Sequence, residues 1–226
     1  MFIPLRDENP TRRLPVVTLL LIAVNIVVFA YTAFGPAGLE AAVFRFGAVP
    51  FEVLHPGDFP GIAGERAAAW LTLLVSMFLH GGVFHLAGNM LYLWIFGNNV
   101  EDALGRVRFF LFYILGGLAA ALSHILLHPA SRVPMIGASG AVAAVLGAYF
   151  LLFPRARVLT LVFVSVIPVP AAIVLGLWFI LQFLNAGMGG GVAWYAHIGG
   201  FLAGMALLLL LARKKKPLPV DRGAGI

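Results

Sequence analysis

One serine hydroxyl, two imidazoles and a carboxamide are the side chains of this chain whose types could do chemistry together. The hydroxyl is Ser139, set among the smallest residues in Gly137-Ala138-Ser139-Gly140. His85 and Asn89 stand four residues apart, and His197 lies far downstream. A serine becomes a nucleophile when a base within hydrogen-bond reach takes its proton, and imidazole is the usual base near neutral pH. The oxyanion that follows attack on a carbonyl needs fixed donors. His85, Asn89 and the backbone N–H of Ser139 are suitable types. Gly137 and Gly140 let a substrate backbone and a neighbouring helix come close to the hydroxyl. Gly200 and Gly204, three and seven residues after His197, form a small face that permits a tight helix contact. Ser139 alone carries little weight, because serine among small residues is common where membrane helices pack. The question is which elements carry these side chains, and to what depth.

Composition places them in lipid. The 226 residues are 62% hydrophobic and only 11% charged, with a mean hydropathy of +1.00, more apolar surface than a soluble domain of this size can hide. With no cysteine, disulfides and thiolate metal sites are excluded. A polar stretch at 1–13 precedes a first apolar run at 14–34, long enough to span and with no small-residue cleavage site. The loop at 35–66 holds apolar pieces, 41–46 and 51–54, that suit helices lying in the interface. Residues 67–79 make about 20 Å of helix, short of the roughly 30 Å hydrocarbon core, and read as a re-entrant or interfacial helix. Further spans are expected at 83–98, 109–127 and 137–153. A partly inserted segment containing Pro168 and Pro170 comes before a fifth span from 171 to 184, and a sixth covers 193–211. Residues 98–108 read as a short polar turn. Six spans put both termini on one side together with 12 of the 15 cations, leaving Arg45, Arg66 and Arg132 on the other. The positive-inside rule makes that side the cytoplasm, so the net charge of +6 reads as membrane orientation and not as a nucleic-acid footprint.

With this topology Ser139 lies at the outer end of span four, His197 about one turn below the outer surface on span six, and His85 and Asn89 on one face of span two. Unpaired polar groups at that depth cost several kcal/mol, so they are expected to face each other or a wet cavity. Between Asp102 and Asp221 there is no Asp or Glu, so any catalytic set is a Ser–His dyad without a carboxylate from spans three to six. The same gap removes paired intramembrane aspartates, and no His-Glu-x-x-His zinc motif occurs. A transporter would more naturally show inverted repeats and a mid-membrane carboxylate. A protein that only binds membrane helices would use the same cavity, and labelling by a serine-reactive fluorophosphonate separates it from an enzyme.

The stretches His80-Gly-Gly-Val-Phe-His85-Leu-Ala-Gly-Asn89, Gly137-Ala-Ser139-Gly140 and Ala196-His197-Ile-Gly-Gly200 with Gly204 resemble, in this order, the rhomboid family of intramembrane serine proteases. The likeness covers about residues 14–212. It implies an all-α membrane protein: a six-transmembrane-helix rhomboid-like bundle with a long, partly membrane-embedded first loop. Cytoplasmic tails would occupy 1–13 and 213–226. It also implies Ser139 as nucleophile, His197 as base and then acid, and His85 and Asn89 as oxyanion donors. The fifth span, with a cap at Gly187–Gly191, would be a moving gate. Substrates would be membrane-spanning proteins cut near the outer face, with no metal or organic cofactor needed; no feature specifies an oligomeric state. Two departures stand out. Leu71-Thr72 replaces a Trp-Arg pair of the first loop, with Trp70 one residue earlier. Ala143 stands where some members hold a tyrosine beneath the catalytic histidine.

Other polar residues have plainer readings. His80, beside Gly81-Gly82, is expected to serve a loop hydrogen-bond network. His124 and His128 have a spacing that can bind metal, but interfacial polar residues explain them more simply. Glu101 is expected to anchor the cytoplasmic turn, pairing with Arg106 or Arg108. Trp178 and Phe179 read as lipid-facing or packing residues. His197 must be neutral to act as base, so activity is expected to fall on acidification. The lack of cysteine and the short polar tails point to a bacterial plasma (inner) membrane.

Overall fold

In lipid a backbone must satisfy its own polar groups, and a run such as 16–34 can do so only as a helix. The computed structural model describes residues 2–56, 66–186 and 192–211, and forms that helix as α1 (Val16–Phe34). The expected interfacial pieces become α2 (Gly38–Phe46) and α3 (Pro50–Leu54). The short segment before the His-Gly-Gly break is α4 (Ala69–Val75), ending in a 3-10 turn at Ser76–Phe78. The chain then bends by 80° into α5 (Val83–Tyr92), a π-helical turn (Leu93–Gly97) and α6 (Asn98–Leu104). Next come α7 (Arg106–Leu127) and α8 (Ser139–Leu152). After two strands, described below, the helices α9 (Ala171–Ala186) and α10 (Trp194–Leu211) complete the bundle. By length and apolarity α1, α7 and α10 can cross a membrane, and the bent pair through α4–α6 makes a fourth candidate. α8 and α9 are shorter, at 14 and 16 residues.

α8 is the axis of the fold. Nine consecutive residues, Ala141–Tyr149, are buried, as expected of a helix apolar on every side. Its small side chains let α7, α10 and α9 close around it. The approach of α10 is backbone on backbone: a β-carbon at Gly204 would strike the Ala144 carbonyl, and one at Gly200 the Gly140 carbonyl. The mirror contact places Gly147 of α8 against the Phe201 carbonyl. Gly140, facing α7, would collide with the Ala120 methyl.

Three features depart from the sequence reading. The chain is mostly helical but not all-α, because a three-stranded antiparallel sheet closes the end of the bundle opposite Ser139. Its order is β1-β2-β3, with β1 (Phe2–Asp7) drawn from the stretch read as a polar tail. β2 (Arg157–Val162) and β3 (Ser165–Pro170) replace the expected partly inserted segment. Pro4, Pro168 and Pro170 all fall on edge strands, where a missing N–H costs no ladder bond, while the central strand has none. The β2–β3 connection is the pair Phe163-Val164, with Phe163 at φ 55°. It lacks the Asn-Gly or Asp-Gly that usually announces such a turn. Asp7 at the end of β1 accepts a 2.7 Å hydrogen bond from the Tyr149 hydroxyl, tying the sheet to α8. Burial pushes the Asp7 carboxyl above the usual carboxylate range, against the pull of that hydrogen bond.

The expected polar turn at 98–108 is helical through Leu104, and Glu101 does not use Arg106 or Arg108. Its buried carboxylate caps α1 instead, accepting from the Val17 N–H (3.0 Å), the Thr18 N–H (2.8 Å) and the Thr18 hydroxyl (2.8 Å). A carboxylate at a helix N-terminus satisfies orphan donors and meets the positive end of the dipole. Glu101→Ala is therefore expected to cost about 2–4 kcal/mol, with Glu101→Gln between it and the parent. Thermal unfolding in detergent micelles measures this.

The first loop is docked at the opposite end. Ala48 and Met135 exchange backbone hydrogen bonds of 3.0 and 2.7 Å, and the Phe51 N–H donates to the Ser131 carbonyl. Arg66 bridges α2 and α3, donating to Glu52 at 2.8 Å and to the Phe44 and Gly47 carbonyls. Trp70, beside the Leu71-Thr72 departure, is exposed, so it is Arg66 that ties these parts of the loop.

Candidate active site

The bend between α4 and α5, the 128–138 loop and the ends of α7, α8, α9 and α10 enclose a cavity of about 800 Å³. Ser139, His197, His85 and Asn89 all line it. Three helices, α5, α8 and α10, thus deliver the four side chains singled out by type and spacing.

Ser139 is the first residue of α8, so its N–H has no partner within the helix and points with the positive end of the dipole. The two residues before it are committed elsewhere. The Gly137 N–H donates to the Ser76 carbonyl at 2.9 Å, and the Ala138 N–H approaches Nε2 of His80 at 3.5 Å. His80 is fully buried and meets His85 edge-on at 5.1 Å, so its place is in the wall. Gly137 has φ +119°, a conformation that disfavours any side chain. A β-carbon there would lie 2.8 Å from His85 Nε2 and 3.7 Å from Ser139 Oγ, so glycine lets the imidazole stand beside the hydroxyl.

The His85 tautomer follows from its neighbours. Nδ1 accepts from the Gly81 N–H at 3.3 Å, which leaves the proton on Nε2, the nitrogen facing Gly137. Asn89, one turn on, is nearly buried and gives one amide proton to the His85 carbonyl at 3.0 Å, with the second left for the cavity. His85, Asn89 and the start of α8 therefore bring N–H donors to the cavity that Ser139 also lines.

His197 is half-buried on the first turn of α10. Its Nδ1 lies 2.8 Å from Oε1 of Gln182 on α9. Its ring sits between Trp178 and Trp194, each with its centroid 5.9 Å away. Trp178 packs inward on His197 and Phe201, and Phe179 stacks on Phe201 at 4.4 Å, so both are packing residues. Gln182 is not among the residues that type and spacing single out. The available signal was a polar side chain within the last turns of an apolar span.

His124 and His128 stack at 4.7 Å on the cavity rim, with Tyr195 against His128. Among the described residues no group of three or more potential ligands could hold a metal ion. The expected cap at Gly187–Gly191 and the basic tail from Arg213 lie outside the described residues.

Comparison with known proteins places this arrangement in a family. A model of the rhomboid domain matches residues 67–214. The chain is 33% identical over 179 residues to the mitochondrial rhomboid protein 1 of Saccharomyces cerevisiae, covering 74% of this chain and 49% of the relative. It is 33% identical over 198 residues to the rhomboid protease GluP of Bacillus subtilis, covering 85% of this chain and 35% of that protein. A mitochondrial presenilin-associated rhomboid-like protein A of Danio rerio is 32% identical over 66% of the chain and covers 40% of that relative. The chain thus spans half or less of the length of these relatives. With the family model covering most of the chain, and the motif residues gathered on one cavity, the protein belongs to the rhomboid family.

Proposed function

We propose that this protein is an intramembrane serine endopeptidase acting through a Ser139–His197 dyad on membrane-spanning protein substrates. The observation that carries the reading is the common cavity, onto which a serine at a helix N-terminus, an imidazole held through Nδ1 and two further N–H donors all open. Ser139 Oγ attacks the scissile carbonyl while His197 Nε2 takes its proton. The oxyanion is received by the Ser139 N–H, His85 Nε2–H and the Asn89 amide. The imidazolium then protonates the leaving amine, and a water activated by the same nitrogen hydrolyses the acyl-enzyme. Besides the substrate and that water, these steps use only groups of the chain itself.

The substrate helix must unwind at the scissile bond, because an intact helix shields its carbonyls. A small void of about 40 Å³ adjoins Ser139, walled by Met77, Gly117, Gly140 and Ala196 among others. It has the size for a small side chain next to the cleaved bond. α1, α5–α6, α7, α8, α9 and α10 supply six crossings, the short α8 being surrounded by protein. Cation bias sets the sheet end and both tails in the cytoplasm, with the cavity towards the outer face of a bacterial plasma membrane.

The test is covalent labelling of folded protein by a fluorophosphonate. Labelling that maps to Ser139 and is lost in Ser139→Ala supports the enzyme. Absence of labelling in protein of unchanged thermal stability would favour a binding protein.

A further inference from the structure

We propose that Gln182 is the positioning residue for His197. Its amide oxygen holds the imidazole with its proton on Nδ1 and Nε2 as the unprotonated, basic nitrogen, making the seating of α9 a condition of turnover. The inference rests on the proteolytic reading for its consequence, but not for its geometry.

Gln182 is 5% exposed, in the second half of α9, about one turn before its C-terminal end. Its Nε2 donates to the Trp178 carbonyl at 2.7 Å, one turn back on the same helix. That bond decides which end of the amide meets the histidine. With the amide reversed, Oε1 would face the Trp178 carbonyl oxygen and the N–H2 would be left to the imidazole. The observed arrangement pairs both polar atoms and puts Oε1 2.8 Å from His197 Nδ1. An amide oxygen can only accept, so Nδ1 must carry the proton and Nε2 must be the basic nitrogen.

A carboxylate would fix the same tautomer more strongly, and none is at hand. Among the described residues the cavity is lined by no Asp or Glu, and the titratable groups around His197 are His85 on α5, His124 on α7 and His128 just beyond it. Each of these is another imidazole, which cannot serve as an anionic partner. Ala143 of α8, which lies against Gly200 three residues after His197, ends in a methyl and gives no polar hold. Gln182 is thus a neutral third member of the set, contributed by a different helix from either Ser139 or His197. The Trp178 ring over His197 comes from that same helix.

α9 packs on α10 and α8 and rests on β2 and β3, and the Gln182 side chain is the hydrogen-bonded tie from it to His197. Hydrogen bonds weaken steeply beyond about 3.5 Å. An outward shift of α9 by roughly 1 Å at Gln182 would therefore release Nδ1 and let the ring change tautomer or rotate. A substrate that enters past α9 would meet a base that is reset only when α9 returns.

The experiment uses the full chain in detergent micelles, with the histidines labelled with 15N and His197 assigned by its loss in His197→Ala. In the parent the His197 ring should show a protonated Nδ1 and an unprotonated Nε2. Gln182→Met, similar in length but unable to accept this bond well, should lose that preference. In cleavage of a tagged transmembrane substrate it should lower kcat about tenfold or more, with KM within about twofold. Gln182→Glu restores an acceptor at the same place. It should keep the proton on Nδ1, recover most of kcat and move the acid limb of the pH–rate profile upward by about one unit. A purely structural glutamine would move neither tautomer nor acid limb. Gln182→Met with the parent's tautomer or kcat, or Gln182→Glu with an unshifted acid limb, overturns the proposal. Should the parent neither cut substrate nor react with fluorophosphonate, the proteolytic reading fails. The ring-nitrogen signals then still decide whether Gln182 holds His197.

Discussion

Ser139→Ala and His197→Ala are each expected to lower cleavage of a transmembrane substrate by about 10³-fold or more while leaving the thermal unfolding profile close to the parent's. In the proposed mechanism the first removes the atom that forms the acyl bond. The second removes the base that makes that atom a nucleophile. Members of such a pair act as a unit, so the double variant should be no slower than the worse single one. Neither side chain is integral to the packing of α8 against α10, which is carried by backbone contacts at Gly147, Gly200 and Gly204. Loss of activity without loss of fold is therefore the outcome expected from chemistry. Equal activity in parent and variants, read on a gel with purified protein, would sink the assignment.

His85→Ala and Asn89→Ala are expected to be the next most damaging, each lowering kcat about 10²–10³-fold with KM little changed. Donors aimed at the oxyanion stabilise charge that exists only after attack, so their loss falls on the chemical step. The two changes should differ in one respect. His85 also receives the Gly81 N–H and stands against Gly137, so its removal loosens the wall next to Ser139. The amide of Asn89 is tied to its own helix, at the His85 carbonyl. A larger fall in unfolding temperature for His85→Ala than for Asn89→Ala is the expected companion result. An effect confined to KM would assign these residues to substrate binding instead.

Which end of its helix a residue occupies is legible in the sequence, because apolar run lengths place the helix boundaries. That is why Ser139, His197, His85 and Asn89 can be assigned to one level from residue order alone. Rotation about each helix axis is not legible in the same way. Gln182 sits at that level too, but only the packing of α9 on α10 turns it towards His197 and not towards lipid. Glu101 is recognisable as an anchor, yet its partners are orphan N–H groups 83 and 84 residues away, which no local charge pattern identifies. The hairpin escapes for a different reason. Its turn is Phe163-Val164, its last strand carries two prolines, and both strands are apolar enough to read as a partly inserted segment.

The sheet has a consequence for the order in which the molecule can be assembled. The Tyr149 hydroxyl reaches back across 142 residues to Asp7, and β1 pairs with a strand that begins at Arg157. During synthesis the first strand thus emerges long before its partner, and must wait unpaired while α1 through α8 are made and inserted. Such long-range pairing is intrinsically late. His197 follows later still, on α10. If the proposed dyad operates, a nascent chain that already displays Ser139 has neither its sheet closed nor its base in place, and the serine is expected to stay inert until the bundle is all but complete.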